Sequence, residues 1–408
     1  MIGKLVTFDE AKRAVESNFK PQPPDVEETV LLEACNRVLG IDVVASVDIP
    51  GFNISAVKGY ALSSQDTVAT TEDSPTAFKV EQTVVAGEQP RFRLSRGEAA
   101  EVLMGAILPQ GADAVIATQD SQRTDDTLQV FGKVFQGENV HQAGADIQKG
   151  TVVLRRGQVL GSAEIGVLAA LGFTQVMVLR IPMVAVFSVG TEIGELGKPL
   201  PPGKTFDVAA YSLCTTVMEC GAKPVCLGVV PDDKEAIMRM LRTATTSADM
   251  VVVCSNTDIA EMTDSLGKPG VVVRGIAVKP GRQTAISFVG EKPVFILPGN
   301  PSAALLMFQL FARSLVQRLG GRPVLGLKTV VAYAGSRMFS AKGNRAYVLV
   351  QLNFDEKCRL IAEPLEAMGA VSALLSAVGF VEVPENTQYV DVDQEVTVIL
   401  FRGLTNKG

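Results

Sequence analysis

Phe295-Ile-Leu-Pro-Gly-Asn-Pro-Ser302 is an apolar strand pattern that runs straight into a turn, and behind it residues 303–319 carry the apolar spacing of a long helix. Asn300 is placed to cap that helix and Pro301 to fill its first position, leaving backbone N–H groups directed outward where an anion is favoured. Some twenty residues upstream, Val278-Lys-Pro-Gly-Arg282 sets two cations three positions apart around a Pro-Gly turn. Fixed dipoles and mobile positive charge in one region predict a phosphate-like ligand.

Around this stretch, residues 183–320 alternate apolar strand patterns (183–187, 225–230, 250–254, 271–276 and 294–297) with helical ones (208–220, 234–246 and 303–319). Such alternation predicts a mostly parallel sheet with helices on both faces and a ligand at the carboxyl ends of the strands. Two loops there attract notice. Ser188-Val-Gly-Thr-Glu192 follows the first strand, with Gly190 permitting close backbone approach and Glu192 available to accept from a ligand donor. Gly203-Lys-Thr-Phe-Asp207 precedes a helix, so Asp207 is equally placed to be an ordinary N-cap.

The rest of the chain has a different texture. Residues 8–16 and 26–39 read as amphipathic helices separated by Lys20-Pro-Gln-Pro-Pro24, the second ending at Gly40 as a C-cap. From 43 to about 134, short alternating runs (78–85, 98–102, 128–134) broken by Gly and Pro predict a small β-rich insertion. Residues 147–172 return to strand-turn-helix signals, so the first helices are expected to rejoin this segment. After Gly320-Gly-Arg-Pro323 the chain again reads as short strands, a β domain of about 80 residues.

A length of 408 residues predicts about three domains, and 47% hydrophobic with 20% charged residues fits a folded chain. The apolar runs at 183–187 and 250–254 are far short of a bilayer span, and the first residues lack a signal-peptide layout, so no membrane association and a cytoplasmic location are expected. A net charge of −6 supplies no field for nucleic acid. The six cysteines form no Cys-x-x-Cys pair, which disfavours zinc and disulfides alike. His141 is the single histidine and sits in no nucleophile motif.

Six segments, in order and at their spacing, resemble one family across nearly the whole chain: Pro50-Gly-Phe-Asn-Ile-Ser-Ala-Val-Lys-Gly-Tyr-Ala61, Ile107-Leu-Pro-Gln-Gly-Ala-Asp-Ala-Val115, Ala143-Gly-Ala-Asp-Ile147, Phe187-Ser-Val-Gly-Thr-Glu192, Val278-Lys-Pro-Gly-Arg282 and Leu297-Pro-Gly-Asn-Pro301. The family is the MoeA molybdopterin molybdenumtransferases, to which the E domain of gephyrin is similar. The resemblance implies an α/β and β multidomain fold. Its parts are a discontinuous linker domain (1–42 plus 138–178), a β-rich insertion (43–137), a three-layer α/β molybdopterin-binding domain (179–325) and a C-terminal β-barrel (326–408).

It also implies a homodimer, with molybdopterin and molybdate as substrates. Adenylylated molybdopterin is hydrolysed with Mg²⁺, AMP leaves, and molybdenum joins the dithiolene. A molybdopterin adenylyltransferase or a recipient molybdoenzyme is the implied partner. Carried onto this chain, the resemblance makes Glu192 and Asp207 catalytic; Asp258 is expected to join them as a relocated acid, with Asp207, Asp258 and Glu261 around the metal. The substrate would meet Ser188, Gly190, Lys279, Pro280, Gly281, Arg282, Pro298, Gly299, Asn300, Pro301 and Ser302, joined by Asp146 from the linker domain. Arg345 matches the barrel arginine that faces the oxyanion.

The departures are specific. The family reads Ser-Gly-Gly-Val-Ser-x-Gly after the third α/β strand, whereas this chain has Val253-Cys-Ser-Asn-Thr-Asp-Ile-Ala260, so the glycine cradle for phosphate is absent. Asp258, Glu261 and Asp264 are close enough to substitute for a missing acid at 262–263, or Asp258 and Glu261 simply form a capping box. Lys58 stands where the family has aspartate, Met104 where it has threonine, Ala209 where it has asparagine, and Glu366-Ala-Met-Gly369 where it has Gln-Gly-Ser-Gly.

Overall fold

The computed structural model describes residues 5–194, 196–324, 326–340, 343–365 and 371–401. Backbone contacts divide the chain into two compact units, residues 1–40 with 176–408, and residues 41–175. The altered segment Glu366-Ala-Met-Gly369 lies outside the described residues.

The first unit opens with α1 (Phe8–Asn18), held by a reciprocal capping box in which Thr7 accepts from Glu10 N and Glu10 reaches back to Thr7 N. Its sheet comprises β1 (Met183–Val189), β2 (Lys223–Val230), β3 (Met250–Ser255), β4 (Pro269–Arg274), β6 (Ala285–Val289) and β7 (Lys292–Pro298), with the two-residue β5 (Val278–Lys279) lying outside it. The order across the sheet is β2-β1-β3-β7-β6-β4. The first four run parallel, and β6 and β4 are antiparallel additions. All six residues of β3 are buried, as an unbroken apolar run requires when both faces of a sheet are covered.

Helix α2 (Ala209–Glu219) packs Leu213 and Val217 into the core on one face, and α3 (Lys234–Ser247) packs Ile237, Leu241 and Ala244 into the core on the other. The chain thus leaves β1 for β2 on one side and crosses back to β3 on the other. The carboxyl ends of β1 and β3, where Ser188 pairs in register with Cys254, form the crevice at which ligands bind in such sheets. The helix expected over 303–319 begins two residues earlier. It is α4 (Pro301–Met307), continued through a π-helical stretch (Phe308–Ala312) to Leu319.

The C-terminal strands β8 (Thr329–Ala334), β9 (Arg345–Phe354), β10 (Leu360–Pro364), β11 (Gly379–Val383) and β12 (Glu395–Leu400) close into a barrel in the order β9-β10-β8-β12-β11-β9. Strand β5 leaves the α/β region and joins β9 in parallel, pairing Val278 with Arg345 and Lys279 with Ala346. This pairing locks the Lys279 turn to the barrel.

One expected element is corrected. Residues 26–39 do not form a helix: Val26–Val30 is a strand paired with Gln175–Leu179, followed by a single 3₁₀ turn at Leu31–Ala34. The β-branched ends of Val26-Glu-Glu-Thr-Val30 suit a strand, and the apolar spacing that suggested a helix is not used, since Leu32 is exposed. Gly40 is no C-cap either. Its N–H donates to Met177 O at 2.8 Å, and a Cβ there would meet Val26 Cγ1 at 2.7 Å.

The second unit is built on a six-stranded sheet in the order Ala114–Ala117, Gly59–Leu62, Glu98–Val102, Thr76–Val84, Thr127–Val130, Ser121–Thr124. Its two faces bury separate small cores around Phe78 and Leu128 and around Val102 and Val115. All six strands lie between Gly59 and Val130, in the part of the chain read as β-rich.

Candidate functional site

The loop Pro298-Gly-Asn-Pro301 separates two cavities, and its residues alternate between them. Pro298 and Asn300 line one of about 680 Å³, and Gly299 and Pro301 line one of about 310 Å³. The local chemistry explains the shape. Asn300 Oδ1 accepts from Ala303 N at 3.0 Å, and Pro301 occupies the first helical position, so the strand turns into α4 with its first N–H groups at the rim.

In the larger cavity, Lys279, Pro280, Gly281 and Arg282 form the wall beside Asn300. Gly281 has φ +123°, and a Cβ would meet Met307 Sδ at 2.3 Å, so only glycine lets this turn seat against α4. Lys279 and Arg282 are exposed, and among the described residues neither forms an ion pair. Two exposed cations beside a helix N-terminus give this cavity wall a positive field, the chemistry that an oxyanion would need. The barrel contributes Phe339, Ser340, Ala346 and Tyr347 to the same lining.

The smaller cavity gathers Ser188, Glu192, Asp207, Cys254 and Asn256. Asp207 is only 8% exposed, and its Oδ1 accepts from Ala210 N at 3.0 Å. It therefore does cap α2, yet its Oδ2 accepts no hydrogen bond among the described residues. Ser188, 1% exposed, lies near the Cys254 thiol, but among the described residues its hydroxyl makes no hydrogen bond. Leaving a buried hydroxyl unpaired costs about 1 to 3 kcal/mol, so a polar group entering this cavity within reach of Ser188 would be favoured. Burial, reinforced by the Asp207 charge, pushes the Cys254 thiol well up, so it is a neutral wall and not a nucleophile. Glu192 folds its carboxylate over Gly190, within 2.6 Å of where a Cβ would sit.

Asp207 and Glu192 in one cavity with the Ser188 hydroxyl fit a hard cation such as Mg²⁺, which takes one or two carboxylates and fills its shell from water and substrate phosphate. No cluster of three or more His, Cys, Asp or Glu side chains suited to a metal occurs among the described residues. Asp258 and Glu261, expected to join this set, are held elsewhere. Arg274 donates to Asp258 Oδ2 at 2.7 Å and to Glu261 Oε1 at 2.5 Å, and Asp258 lines a third cavity with Arg274. Burial pushes the Asp258 carboxyl up, but the Arg274 bonds outweigh it and hold its pKa below the ordinary value. Asp258 also accepts from Ala260 N, while Glu261 is spent on Arg274, so the alternative capping box is not completed.

Arg345 likewise differs from expectation. Its guanidinium donates from Nε to Glu385 at 2.9 Å, lies 3.6 Å from Glu382 and 3.5 Å from Asp9, and covers the Phe8 ring at 4.5 Å. Three carboxylates neutralise it, and it is absent from the lining of the larger cavity, which its neighbours Ala346 and Tyr347 reach instead. Ser302 is buried in α4, and Gly190 borders a further cavity of about 570 Å³ with Asp207. Asp146 is exposed in the second unit.

The loop that replaces the glycine cradle is tied by its own side chains. Ser255 Oγ donates to Thr257 O at 2.8 Å, and Thr257 Oγ1 donates to Asp232 Oδ2 at 2.5 Å. Asn256 Oδ1, Nδ2 and Cγ lie 2.7, 2.8 and 2.9 Å from where a Cβ on Gly299 would be, so its carboxamide covers that glycine. Sequence reasoning registered the lost glycines but missed this contact, as it missed Phe339 in the cavity wall. Asn256 stands in the altered cradle stretch, but nothing local says which glycine it covers, and Phe339 carries no motif.

Comparison with known proteins returns three consecutive family matches. They are the MoeA N-terminal region (domain I and II) over residues 6–172, a probable molybdopterin binding domain over 185–318, and the MoeA C-terminal region (domain IV) over 331–401. A molybdopterin molybdenumtransferase of Nostoc sp. is 32% identical over 306 residues, covering 73% of this chain and 70% of that protein. One from Bacillus subtilis is 28% identical over 97% of this chain and 94% of its own length. The crystal structure of a molybdopterin biosynthesis MoeA protein from Pyrococcus horikosii superposes with a TM-score of 0.89 at 36% identity, covering 98% of this chain and all of that one.

Proposed function

From the premise that this chain belongs to the MoeA family of molybdenum cofactor biosynthesis proteins, we propose that it inserts molybdenum from molybdate into adenylylated molybdopterin with release of AMP. The observation that carries the reading is the paired cavity at one loop: unpaired Lys279 and Arg282 on one side of Asn300, buried Asp207 with Glu192 on the other.

Lys279 and Arg282 attract molybdate and hold it at the α4 N-terminus by charge-assisted hydrogen bonds. The helix-capping bond fixes Asp207, so its second oxygen is pre-oriented toward whatever enters the smaller cavity. Ser188 supplies a hydrogen bond to the same ligand, which would satisfy its hydroxyl. Mg²⁺, held by Asp207 and Glu192, would offset the negative charge of the phosphoanhydride as it is hydrolysed. The chain would act as a homodimer, and sedimentation as a monomer at micromolar concentration would contradict that.

A second reading has a specific observation behind it. Asn256 covers Gly299, and Arg274 takes up Asp258 and Glu261. Both favour a paralogue that retains molybdopterin or its nucleotide as carrier without efficient turnover. One experiment separates the two: the purified protein is incubated with adenylylated molybdopterin, molybdate and Mg²⁺, and AMP is followed. Molybdate-dependent AMP release supports the transferase. Retained pterin without AMP sinks it and supports the carrier.

A further inference from the structure

Met338–Phe339 pairs antiparallel with Tyr389–Val390, and the period-two alternation of strands divides their side chains. Met338 and Val390 are buried in the barrel core, whereas Phe339 and Tyr389 turn to the other face, Phe339 being 66% exposed. The fold therefore leaves a large aromatic ring out of its core, and that ring lines the same cavity as Lys279 and Arg282. The ring is also well supported. Tyr389 leans on it at 6.2 Å and 57°, Arg337 covers Tyr389 at 4.8 Å, and Arg337 is fixed by Asp391 at 2.9 Å. A tilted neighbour holds the ring from its side and leaves a π face unoccupied, as a stacking platform needs.

We propose that Phe339 stacks on the planar heteroaromatic ring, pterin or adenine, of the ligand whose anionic groups reach Lys279 and Arg282. The inference rests on the function proposed above and assigns the residue that grips the substrate's ring. A cavity of about 680 Å³ accommodates a bicyclic heterocycle together with an oxyanion, and the cavity wall is mainly apolar apart from its cations, Gln283, Asn300 and Ser340. Stacking is sequence-tolerant and needs only a flat π face, so one platform serves either ring.

The test uses a free pterin lacking phosphate, followed by its own fluorescence, and AMP, followed by calorimetry. The chain contains no tryptophan, so the pterin signal is uncontaminated. Phe339→Tyr is expected to keep both ligands within about twofold, and Phe339→Leu, which retains apolar bulk without a π face, to weaken at least one by about tenfold. Loss confined to the pterin, or to AMP, identifies which ring stacks. Equal binding of both ligands by the Leu variant overturns the proposal, as does failure of the unaltered protein to bind either. Molybdate binding by calorimetry runs alongside, and should survive Phe339→Leu but weaken in Lys279→Ala. If the unaltered protein binds pterin but no molybdate, the functional reading falls and the stacking role stands.

Discussion

Asn256 rests its carboxamide on Gly299, at the one glycine of the loop that divides the two cavities. It also lines both the cavity of Asp207 and that of Asp258, so it is the wall between them. A phosphate cannot approach the Gly299 backbone while that side chain is there. Asn256→Gly should therefore strengthen AMP binding by about 1 kcal/mol, roughly fivefold, by admitting the ligand to backbone N–H groups. The cost should be a stability loss of about 0.5 to 1 kcal/mol from added loop entropy. Calorimetric titration with AMP checks the first, urea denaturation the second. Weaker AMP binding would show instead that the Asn256 amide is itself a ligand contact.

Lys279 and Arg345 lie on paired strands but do different work. Lys279→Ala or Arg282→Ala should each weaken molybdate binding by about 1 to 3 kcal/mol, the scale of a lost charged hydrogen bond, with unfolding unchanged. Arg345→Ala should do the converse. It breaks bonds to Glu385, Glu382 and Asp9 that join α1 to the barrel, and should cost about 2 kcal/mol of stability, since its partners are partly exposed and screened. Molybdate titration with parallel urea curves distinguishes the two. A large loss of affinity in a stably folded Arg345→Ala protein would return this arginine to the oxyanion site.

Much of this architecture was legible in the chain because burial on both faces leaves a simple mark. The run at 250–254 is apolar at every position, and β3 is buried throughout. The Asn300-Pro301 start was readable for an equally local reason, since capping is decided within four residues. The Val26 strand was misread because its partner, Gln175–Leu179, lies far along the chain and nothing local announces the pairing. The site was readable only in outline. Residue types showed where charge would collect but not which charges would neutralise one another: Arg274 captures two acids and Arg345 three, and both captures depend on tertiary placement.

Asp207 combines two duties that a single substitution can separate. Asn keeps an oxygen for Ala210 N and so preserves the α2 cap, whereas Ala removes cap and charge together. Asp207→Asn should melt within about 2 °C of the unaltered protein, while Asp207→Ala loses about 1 kcal/mol. Both should abolish Mg²⁺-dependent AMP release. Thermal melts and the AMP assay together decide. Full activity in the Asn variant would reduce Asp207 to a structural cap.

Acid sensitivity should appear at the opposite end of the sheet from the cavities. Burial pushes the Asp249 carboxyl up, but Arg180 Nη1 and Nη2 at 3.1 and 2.9 Å, with Met183 N–H at 2.7 Å, outweigh it and hold the pKa below the ordinary value of 3.8. A group held down in the folded state stabilises the protein fully above its unfolded value. That contribution is lost as pH falls from about 3.8 through the lower folded value. Asp249→Asn should thus cost about 1 kcal/mol at pH 7, a figure that allows for screening at the partly exposed Arg180. The difference from the unaltered protein should shrink steadily below pH 4, because the native carboxyl is then itself becoming neutral. Urea midpoints measured between pH 7 and pH 3 test this, and a gap that stays constant across the range would show that packing, not charge, is what Asp249 contributes to the start of β1.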